Sequence, residues 1–495
     1  MANTSTTSGA RGLWRGVRHP WRTAQGAIAA RGGSPFLQRA LPPLVLALLV
    51  IVVSLPWRTP DPAALVLFAI VYVLYVLPRR IRRYALPATI VTLVVLYPLL
   101  IQQPNYQRFL FTVPIFNKFP TLDTMVVMAI FAMMAVGLNM VVGYAGLLDL
   151  GYVAFYALGA YTAAWLASPH AQPIGGNLVF GGVGIPVGVG GIHISIWIVL
   201  LAAAIVTAVG GILIGLPTLR LRGDYLAIVT LGFGEIVAEL ARNGDKETLG
   251  FDLTGGPPGI NPIDPPGFGS WLSHHLGLPA NFLAEQGTYV NLVSLFYWSA
   301  LVLLAITIFC SIRLRDSRLG RAWIAIREDE VAAAAMGIPL MRTKTWAYAS
   351  GAFFGGVAGA WFGSFKQGVF PDDFYFGISI FVLSMVILGG MGNVWGVVAG
   401  AAFLTYLNQE GLANISTWFN THALPCNALN QDPAKVLSGG CLNAPLVATG
   451  IYGLIIVLVM LFRPQGLIPE QRRQLEFETG VHDEPLMDVR HAAEE

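Results

Sequence analysis

Long uninterrupted apolar stretches constrain this chain more than any other feature. Examples are Leu44–Val53, Leu65–Leu77 and Met125–Val142. Runs near about 20 residues match the roughly 30 Å hydrocarbon core of a bilayer at about 1.5 Å of rise per helical residue. Strict polar–apolar alternation is absent, which disfavours a barrel. Only 12% of the residues are charged, about half the fraction of a soluble chain. We therefore predict an all-α, polytopic helical membrane protein.

The apolar runs predict about 10 to 12 transmembrane helices. The expected spans are 40–56, 63–77, 88–101, 124–143, 148–167, 195–216, 224–240, 291–312, 346–365, 376–390, 394–409 and 445–463. Several of these runs are short for a bilayer. The helices that flank Gly146 and Met391 are expected to be broken or re-entrant.

The basic residues predict the orientation of these spans. If the N-terminal arm is cytoplasmic, the loops on its side hold 23 of the 30 Lys and Arg residues. Such an excess is what the positive-inside rule expects, and an even number of spans places both termini in the cytoplasm. The arm, residues 1–39, carries six arginines and no acid, and we expect it to be disordered. An amphipathic helix on anionic lipid is the alternative for this arm. Residues 471–495 are expected to form a cytoplasmic tail.

Three long connections fall on the external side of the membrane in this topology. They are residues 168–194, 241–290 and 410–444. The third contains Cys426 and Cys441, which suggest a disulfide in an oxidising compartment. Two free thiols are the alternative interpretation of this pair.

Glycines recur every four residues along two predicted helices. One series is Gly351, Gly355, Gly359 and Gly363, and the other is Gly392, Gly396 and Gly400. A helix face without Cβ atoms lets a neighbouring backbone approach closely, which is how helices associate in lipid. We expect both series to be packing surfaces.

Three polar residues are predicted to lie at membrane depth, where polar groups are costly. Asn139 and Glu235 fall inside predicted spans, and Asp149 falls at the break between Gly143 and Gly151. One interpretation places all three along a solute pathway, where broken helices would offer free backbone groups. The other interpretation makes them helix caps or hydrogen bonds that pin helices together.

The chain carries none of the sequence motifs of an energy-coupling or catalytic centre. It lacks a Gly-x-x-x-x-Gly-Lys-Ser/Thr segment, a Cys/His cluster with metal spacing and a Gly-x-Ser-x-Gly segment. We expect no enzyme activity, no metal site and no catalytic residue.

The predicted cytoplasmic loop 313–345 contains a charged segment that runs into four alanines, a strong helix pattern that ends at Gly337 and Pro339. An exposed helix of this kind is either a docking element for a partner or a solvated connector.

Several ordered motifs resemble one known family, the LivM-type permeases of the branched-chain amino-acid ABC importers. The motifs are Gly137-Leu-Asn-Met-Val-Val-Gly-Tyr-Ala-Gly-Leu-Leu-Asp-Leu-Gly151, Leu221-Arg-Gly-Asp-Tyr-Leu-Ala-Ile-Val-Thr-Leu-Gly-Phe-Gly-Glu-Ile236, Leu253-Thr-Gly-Gly-Pro-Pro-Gly-Ile260, the segment Gly320–Gly337, Leu388-Gly-Gly-Met-Gly-Asn393 and Phe462-Arg-Pro-Gln-Gly-Leu467. The resemblance covers a permease core at 121–470. Residues 40–120 are an N-terminal transmembrane extension to which it assigns no role.

The resemblance implies a subunit of the bacterial inner membrane that pairs with a second, LivH-like permease. Two ATP-binding subunits, which hold ATP and Mg, and a periplasmic solute-binding protein complete the implied complex. The implied solutes are branched-chain or other hydrophobic amino acids. A urea or short-amide importer subunit is the alternative within the class, and a self-sufficient channel or secondary carrier is the alternative outside it.

The segment Gly320–Gly337 resembles the permease loop that contacts the ATPase. The resemblance implies that its coupling residues are Arg321, Arg327, Glu328, Asp329, Glu330 and Gly337. The segment departs from the general pattern at Val331, which stands between Glu330 and the alanines.

Overall fold

The computed structural model describes most of the chain between residues 120 and 416. The described residues are 91–98, 120–174, 178–181, 190–218, 224–245, 252–268, 274–275, 289–416 and seven isolated positions between 450 and 468. The chain divides into two units, Met1–Phe119 and Pro120–Glu495. In the first unit the described residues, 91–98, form a helix inside the expected span 88–101. The expected spans 40–56 and 63–77, the terminal segments 1–39 and 471–495, and both Cys426 and Cys441 lie outside the described residues.

The described part of the second unit is built mainly from helices. Ten α-helices follow one another in this part: α1 Leu122–Asn139, α2 Val153–Leu166, α3 Ile196–Thr218, α4 Asp224–Asn243, α5 Tyr289–Asp316, α6 Arg318–Glu328, α7 Glu330–Ala335, α8 Leu340–Lys366, α9 Phe376–Gly389 and α10 Val394–Tyr406. Two π-helical segments, Met140–Tyr144 and Leu407–Gly411, continue α1 and α10. Short 3-10 helices lie at Pro169–Ile174 and Pro371–Phe374. This content confirms the predicted helical class.

Helix length separates the membrane helices of the described region into two groups. Leu122–Tyr144, Ile196–Pro217 and Leu292–Asp316 are long and apolar enough to cross a membrane. Helices α2 and α9 are apolar but have only 14 residues each. At about 1.5 Å per residue they extend about 21 Å, which is less than a hydrocarbon core of about 30 Å. Both short helices border a break in the chain, as the sequence predicts for the regions of Gly146 and Met391.

Helix α8 is the central element of the bundle and packs against α1, α2 and α3. Its predicted glycine series faces these neighbours. A Cβ atom on Gly351 would lie 2.5 Å from Cγ2 of Val141, and a Cβ on Gly355 would lie 3.1 Å from Oη of Tyr152. A Cβ on Gly359 would overlap the carbonyl oxygen of Tyr156. Glycine is therefore required where α8 crosses α1 and α2, because any side chain would push the backbones apart.

The other glycines of the two series also lie at close contacts. A Cβ on Gly363 would lie 3.0 Å from Cγ2 of Val369, and a Cβ on Gly400 would lie 2.6 Å from the carbonyl oxygen of Met385. Gly396 faces Gly389 at the crossing of α9 and α10. The prediction was wrong for Gly392, which precedes α10 instead of lying on it.

The two ends of the bundle differ in their composition. One end, which we call the arginine-rich end, contains helices α6 and α7 and the breaks 145–152 and 390–393. The other end, which we call the capped end, carries a three-stranded sheet with the order β1-β3-β2. Its strands are β1 Ala167–Ser168, β2 Leu178–Phe180 and β3 Ile192–Ile194. Strand β3 pairs antiparallel with β1 and parallel with β2, with Ala167 and Val179 both opposite His193.

A buried His–Asp pair fastens the connection after α4 onto the capped end. Nδ1 of His193 lies 2.8 Å from Oδ2 of Asp264, and both side chains are almost fully buried. Burial raises the pKa of Asp264 above its ordinary value of 3.8, while the hydrogen bond from His193 lowers it again. The backbone of Asp264 donates to the carbonyl of Ala167 and accepts a hydrogen bond from Oγ of Ser364. These contacts join the ends of α2 and α8 to the 252–268 connection.

Candidate functional site

The first break in the bundle separates α1 from α2. Helix α1 widens into the π-helix Met140–Tyr144, and residues 145–152 leave the helical path before α2 begins at Val153. Gly146 has a φ of +70°, a conformation that favours glycine. Gly151 packs against α4 so closely that a Cβ would overlap the carbonyl of Thr230. The glycines of this motif therefore allow a sharp break to lie against a neighbouring helix.

Side chains bind backbone amides at and just before the start of α2. Oδ1 of Asp149 accepts a hydrogen bond at 2.9 Å from the N–H of Gly151, two residues before α2 begins. Oγ of Ser379, on α9, accepts at 3.0 Å from the N–H of Val153, the first residue of α2. Asp149 therefore closes a turn within the break, while Tyr152, the residue before α2, makes no capping side-chain bond.

The second break lies between α9 and α10, at residues 390–393, and it contacts the first. Oδ1 of Asn139 accepts a hydrogen bond from the N–H of Gly392 at 2.9 Å. Gly392 has a φ of +91°, which explains why glycine stands there although it is outside α10. The side chain of Asn393 then caps α10 by accepting from the N–H of Trp395 at 3.1 Å. One buried amide therefore ties the second break to the end of α1.

Three buried polar atoms near the first break have no hydrogen-bond partner among the described residues. They are Nδ2 of Asn139, Oδ2 of Asp149 and Oη of Tyr348. Tyr348 lies within electrostatic range of Asp149. A buried polar atom without a partner costs free energy, so a cluster of three such atoms is unusual for a region that serves packing alone. No pattern in the sequence singles out Tyr348, which stands as an ordinary aromatic residue near the start of a predicted span.

Glu235 lies apart from the other two pathway candidates. Its side chain is exposed on the outer face of α4, whereas Asn139 and Asp149 are buried. The adjacent residue, Gly234, faces the first break, and its Cβ would lie 3.3 Å from Cα of Gly151. The three candidates therefore belong to neighbouring elements but do not form one cluster.

The predicted coupling helix is two helices in the structure. The sequence pattern predicts one helix in which the charged residues 327–330 lead into the alanines, but Asp329 is extended, with φ −154° and ψ 111°. Its Oδ1 accepts hydrogen bonds from the amides of Val331 and Ala332 at 2.8 and 2.9 Å. Asp329 thus ends α6 and caps α7, because an N-cap residue needs an extended backbone. Gly337, at φ +85°, ends α7 as predicted.

Two of the predicted coupling residues point into this chain. A guanidinium N–H of Arg327 donates to the carbonyl of Gly143, at the end of the π-helix. Nζ of Lys344, on α8, lies 2.7 Å from Oε1 of Glu330. Lys344 is buried, and a buried cation needs such a partner. Helices α6 and α7 are therefore bonded both to the first break and to α8.

Other residues of the segment remain at the surface. Arg321, Glu328 and Asp329 are exposed, and Nη1 of Arg321 donates to the carbonyl of Asp316 at 3.0 Å. The outer surface of α7 is apolar: Val331 is 72% exposed and Met336 is 84% exposed. An exposed apolar helix end of this kind is a feature of protein interaction sites. Trp323, in contrast, is buried and donates from Nε1 to the carbonyl of Thr343, which anchors α6.

These features define a helical membrane protein whose helices break inside the bundle, with the short exposed helix α7 at one end. Residues 121–460 match the model of the family described as branched-chain amino acid transport system, permease component. This match covers more than half of the chain, and the protein belongs to that family.

Individual relatives agree with the family match. The high-affinity branched-chain amino acid transport system permease protein LivM of Escherichia coli K12 is 36% identical over 374 residues, which cover 73% of each chain. The probable branched-chain amino acid transport permease protein LivM of Methanocaldococcus jannaschii is 26% identical over 69% of this chain and 91% of its own. The E. coli K12 permease protein LivH is 31% identical over 30% of this chain and 45% of its own. No solved structure matches the chain.

Proposed function

We propose that this chain is the LivM-like permease subunit of an ABC importer that moves branched-chain or other hydrophobic amino acids into the cell. The observation that carries the proposal is the family match over residues 121–460, together with two LivM relatives at 36% identity. The names of these relatives favour amino acids over urea or short amides. The chain would lie in the bacterial inner membrane, with its arginine-rich end and both termini in the cytoplasm.

The proposed complex contains a second, LivH-like permease, two ATP-binding subunits and a periplasmic solute-binding protein. The partial match to LivH supports a partner that resembles part of this chain. ATP and Mg would be bound by the ATP-binding subunits, because this sequence contains no phosphate-binding loop. The binding protein would deliver the solute to the capped end.

The contacts of α6 and α7 support a route by which ATP binding could act on the membrane breaks. The exposed residues Val331 and Met336 would dock into an ATP-binding subunit. A movement of α7 would reach α8 through Glu330 and Lys344, which are 2.7 Å apart. The same movement would reach the first break through the bond between Arg327 and the carbonyl of Gly143. Interfaces of this kind switch between discrete packings, so a small displacement at α7 can change access at the breaks.

The docking step is tested by charging the exposed surface of α7. Val331→Glu should abolish co-purification of the ATP-binding subunits, because it places a charge in an apolar contact. Val179→Glu is the matched control, since Val179 is 62% exposed on β2, at the opposite end of the bundle. Asp329 and Glu330 are poor choices for this test because they hold α7 itself in place. Full co-purification with the Val331→Glu variant would end the docking proposal.

The solute class is tested with the reconstituted complex. Proteoliposomes that contain both permeases and the ATP-binding subunits, with the binding protein outside, are supplied with labelled leucine, urea or glutamate. The proposal predicts ATP-dependent uptake of leucine only. Uptake of urea in preference to leucine would establish the short-amide alternative.

A further inference from the structure

Helix α4 differs from the other outward-facing helices of the described bundle in the chemistry of its exposed side. The exposed residues of α3 include Leu201, Ile205 and Leu213, which are 53–65% exposed and form a purely apolar surface suited to lipid. Helix α5 likewise exposes Val302 and Phe309. Helix α4 instead combines apolar residues with an acid, and an amphipathic helix at membrane depth is suited to facing water or protein.

Exposed residues of α4 line one side of the helix. We call the outer face of α4 the stripe formed by Tyr225, Ile228, Glu235 and Ile236 together with the half-buried Gly232. The exposed residues Glu239 and Leu240 continue this side of the helix one turn later. Tyr225, Ile228 and Ile236 are 72%, 63% and 62% exposed, and Glu235 is also exposed. Spacings of three and four residues place these positions on the same side of an α-helix. The opposite side, which includes Leu226, Thr230 and Gly234, is buried against the bundle.

Glu235 lies deep in the expected membrane. It stands 11 positions after Asp224, the first residue of α4, which corresponds to about 17 Å along the helix axis. Helix α4 has 20 residues and spans about 30 Å, so Glu235 is near its middle. An ionised carboxylate at that depth is costly against lipid and marks a pathway or a paired site.

Gly232 provides a second, independent observation. A Cβ atom at this position would meet no atom of the described structure within 4 Å. The glycines of α8 are explained by close packing inside the chain, but Gly232 is not. Glycine in a helix interior costs about 1 kcal/mol relative to alanine. Packing within the described residues does not explain Gly232, which leaves open space beside the helix at this position.

We propose that the outer face of α4 forms one wall of the solute route, and that Glu235 binds the ammonium group of the amino acid in transit. The apolar residues Ile228 and Ile236 would contact an aliphatic side chain, and Gly232 leaves room for the solute between them. The carboxylate complements the positive charge of the ammonium group. Glu235 is also adjacent to Gly234, which packs on the first break, so the wall lies beside the element that Arg327 contacts. This inference rests on the proposed function for the identity of the solute.

The first test measures whether the outer face of α4 meets water. Gly232→Cys or Ile205→Cys is added to a Cys310→Ala background in the full complex, which is then treated with a membrane-impermeant thiol reagent. Because Cys426 and Cys441 remain, labelling is compared with the Cys310→Ala complex that carries neither added cysteine. Position 232 should be labelled, and leucine with its binding protein should change the labelling rate. Position 205, on the apolar face of α3, should stay unlabelled. If position 232 stays unlabelled in every state, the proposal that the outer face of α4 lines the solute route is refuted.

The second test measures the role of the carboxylate. Glu235→Gln should lower leucine uptake by about tenfold or more, the loss expected for a hydrogen bond to a charged group, while ATP hydrolysis continues. Glu235→Asp, which keeps the charge, should recover part of the uptake. Glu239→Gln is the matched control, because Glu239 lies one turn later and already accepts a hydrogen bond from Asn243 at 2.5 Å. Equal uptake by the Glu235→Gln and Glu239→Gln variants would overturn the role of Glu235.

The two tests also separate this inference from the proposed function. A wild-type complex that takes up no leucine refutes the proposed solute. Labelling at position 232 does not depend on the solute and still decides whether α4 lines an aqueous route.

Discussion

Replacing Arg327 should disconnect ATP hydrolysis from transport while leaving docking intact. A guanidinium N–H of this residue donates to the carbonyl of Gly143, at the junction of the π-helix and the first break. Its aliphatic stem also packs on the break, since a Cβ on Gly146 would lie 2.5 Å from Cγ of Arg327. Arg327→Ala removes both contacts without touching the exposed surface of α7.

The size of the effect follows from the chemistry of that bond. A hydrogen bond from a charged group contributes about 1.5–3 kcal/mol, which corresponds to about 10- to 150-fold in an equilibrium. If the bond between Arg327 and Gly143 transmits the movement of α6 to the first break, its loss should lower leucine uptake at saturating ATP by about 10- to 150-fold. ATP hydrolysis should persist, because the docking surface at Val331 and Met336 is unchanged. The assay compares uptake and ATP hydrolysis in the same proteoliposomes.

The matched control for this experiment lies on the same helix. Arg318→Ala removes an exposed arginine at the first position of α6. It should change the ratio of uptake to hydrolysis by less than about twofold, as expected of a substitution at an exposed position. If Arg327→Ala and Arg318→Ala give the same ratio as the wild type, the link between α6 and the first break has no part in coupling.

Two further substitutions test the packing of the bundle and the capped end. Gly359→Ala would place a Cβ against the carbonyl of Tyr156 and should destabilise the purified complex by about 1–3 kcal/mol, whereas Gly232→Ala, which meets no atom within 4 Å, should not lower its melting temperature. His193→Ala leaves the buried Asp264 without its partner and should cost about 3–5 kcal/mol.

The pH dependence gives the His193 prediction a sharper form. Burial raises the pKa of Asp264 above 3.8, and His193 is the group that lowers it, so the variant should carry a still higher pKa there. A carboxyl with a raised pKa binds more protons in the folded state, and its stability penalty therefore shrinks as the pH falls. The melting temperature of His193→Ala should approach that of the wild type at acidic pH. His274→Ala, at an exposed histidine, is the control and should not change the melting temperature at any pH. If the melting temperature of His193→Ala lies below that of the wild type by the same amount at all pH values, the account is contradicted.

The long helices of the described region follow from the sequence because their apolar runs are continuous. The expected spans 124–143 and 195–216 fall within two residues of the membrane-crossing parts of α1 and α3, and 291–312 begins one residue before that of α5 and ends four residues before its end at Asp316. The short helices α2 and α9 were expected to be broken because Gly146 and Met391 interrupt the pattern. The small sheet of the capped end was not predicted, since strands of two or three residues carry no readable alternation.

The contacts of the candidate site could be predicted only in part. Sequence patterns singled out Arg327 and Asn139, but their partners, Gly143 and Gly392, depend on how distant segments fold together. The division of the coupling segment at Asp329 was missed because acids and alanines all favour helix, while the capping preference of aspartate opposes it. Local propensity cannot decide whether Asp329 continues the helix or caps a new one. The outcome depends on the tertiary contacts that hold α6 and α7 in place.

The central claim is that this chain moves solute only when a partner hydrolyses ATP. Leucine uptake is measured in proteoliposomes that contain the two permease subunits, with and without the ATP-binding subunits and ATP, and with the binding protein outside in every case. The account predicts leucine accumulation against its gradient only in the complete mixture, with no flux through the permease pair alone. Leucine flux at the same rate without the ATP-binding subunits would contradict it and would make the chain a self-sufficient channel or carrier.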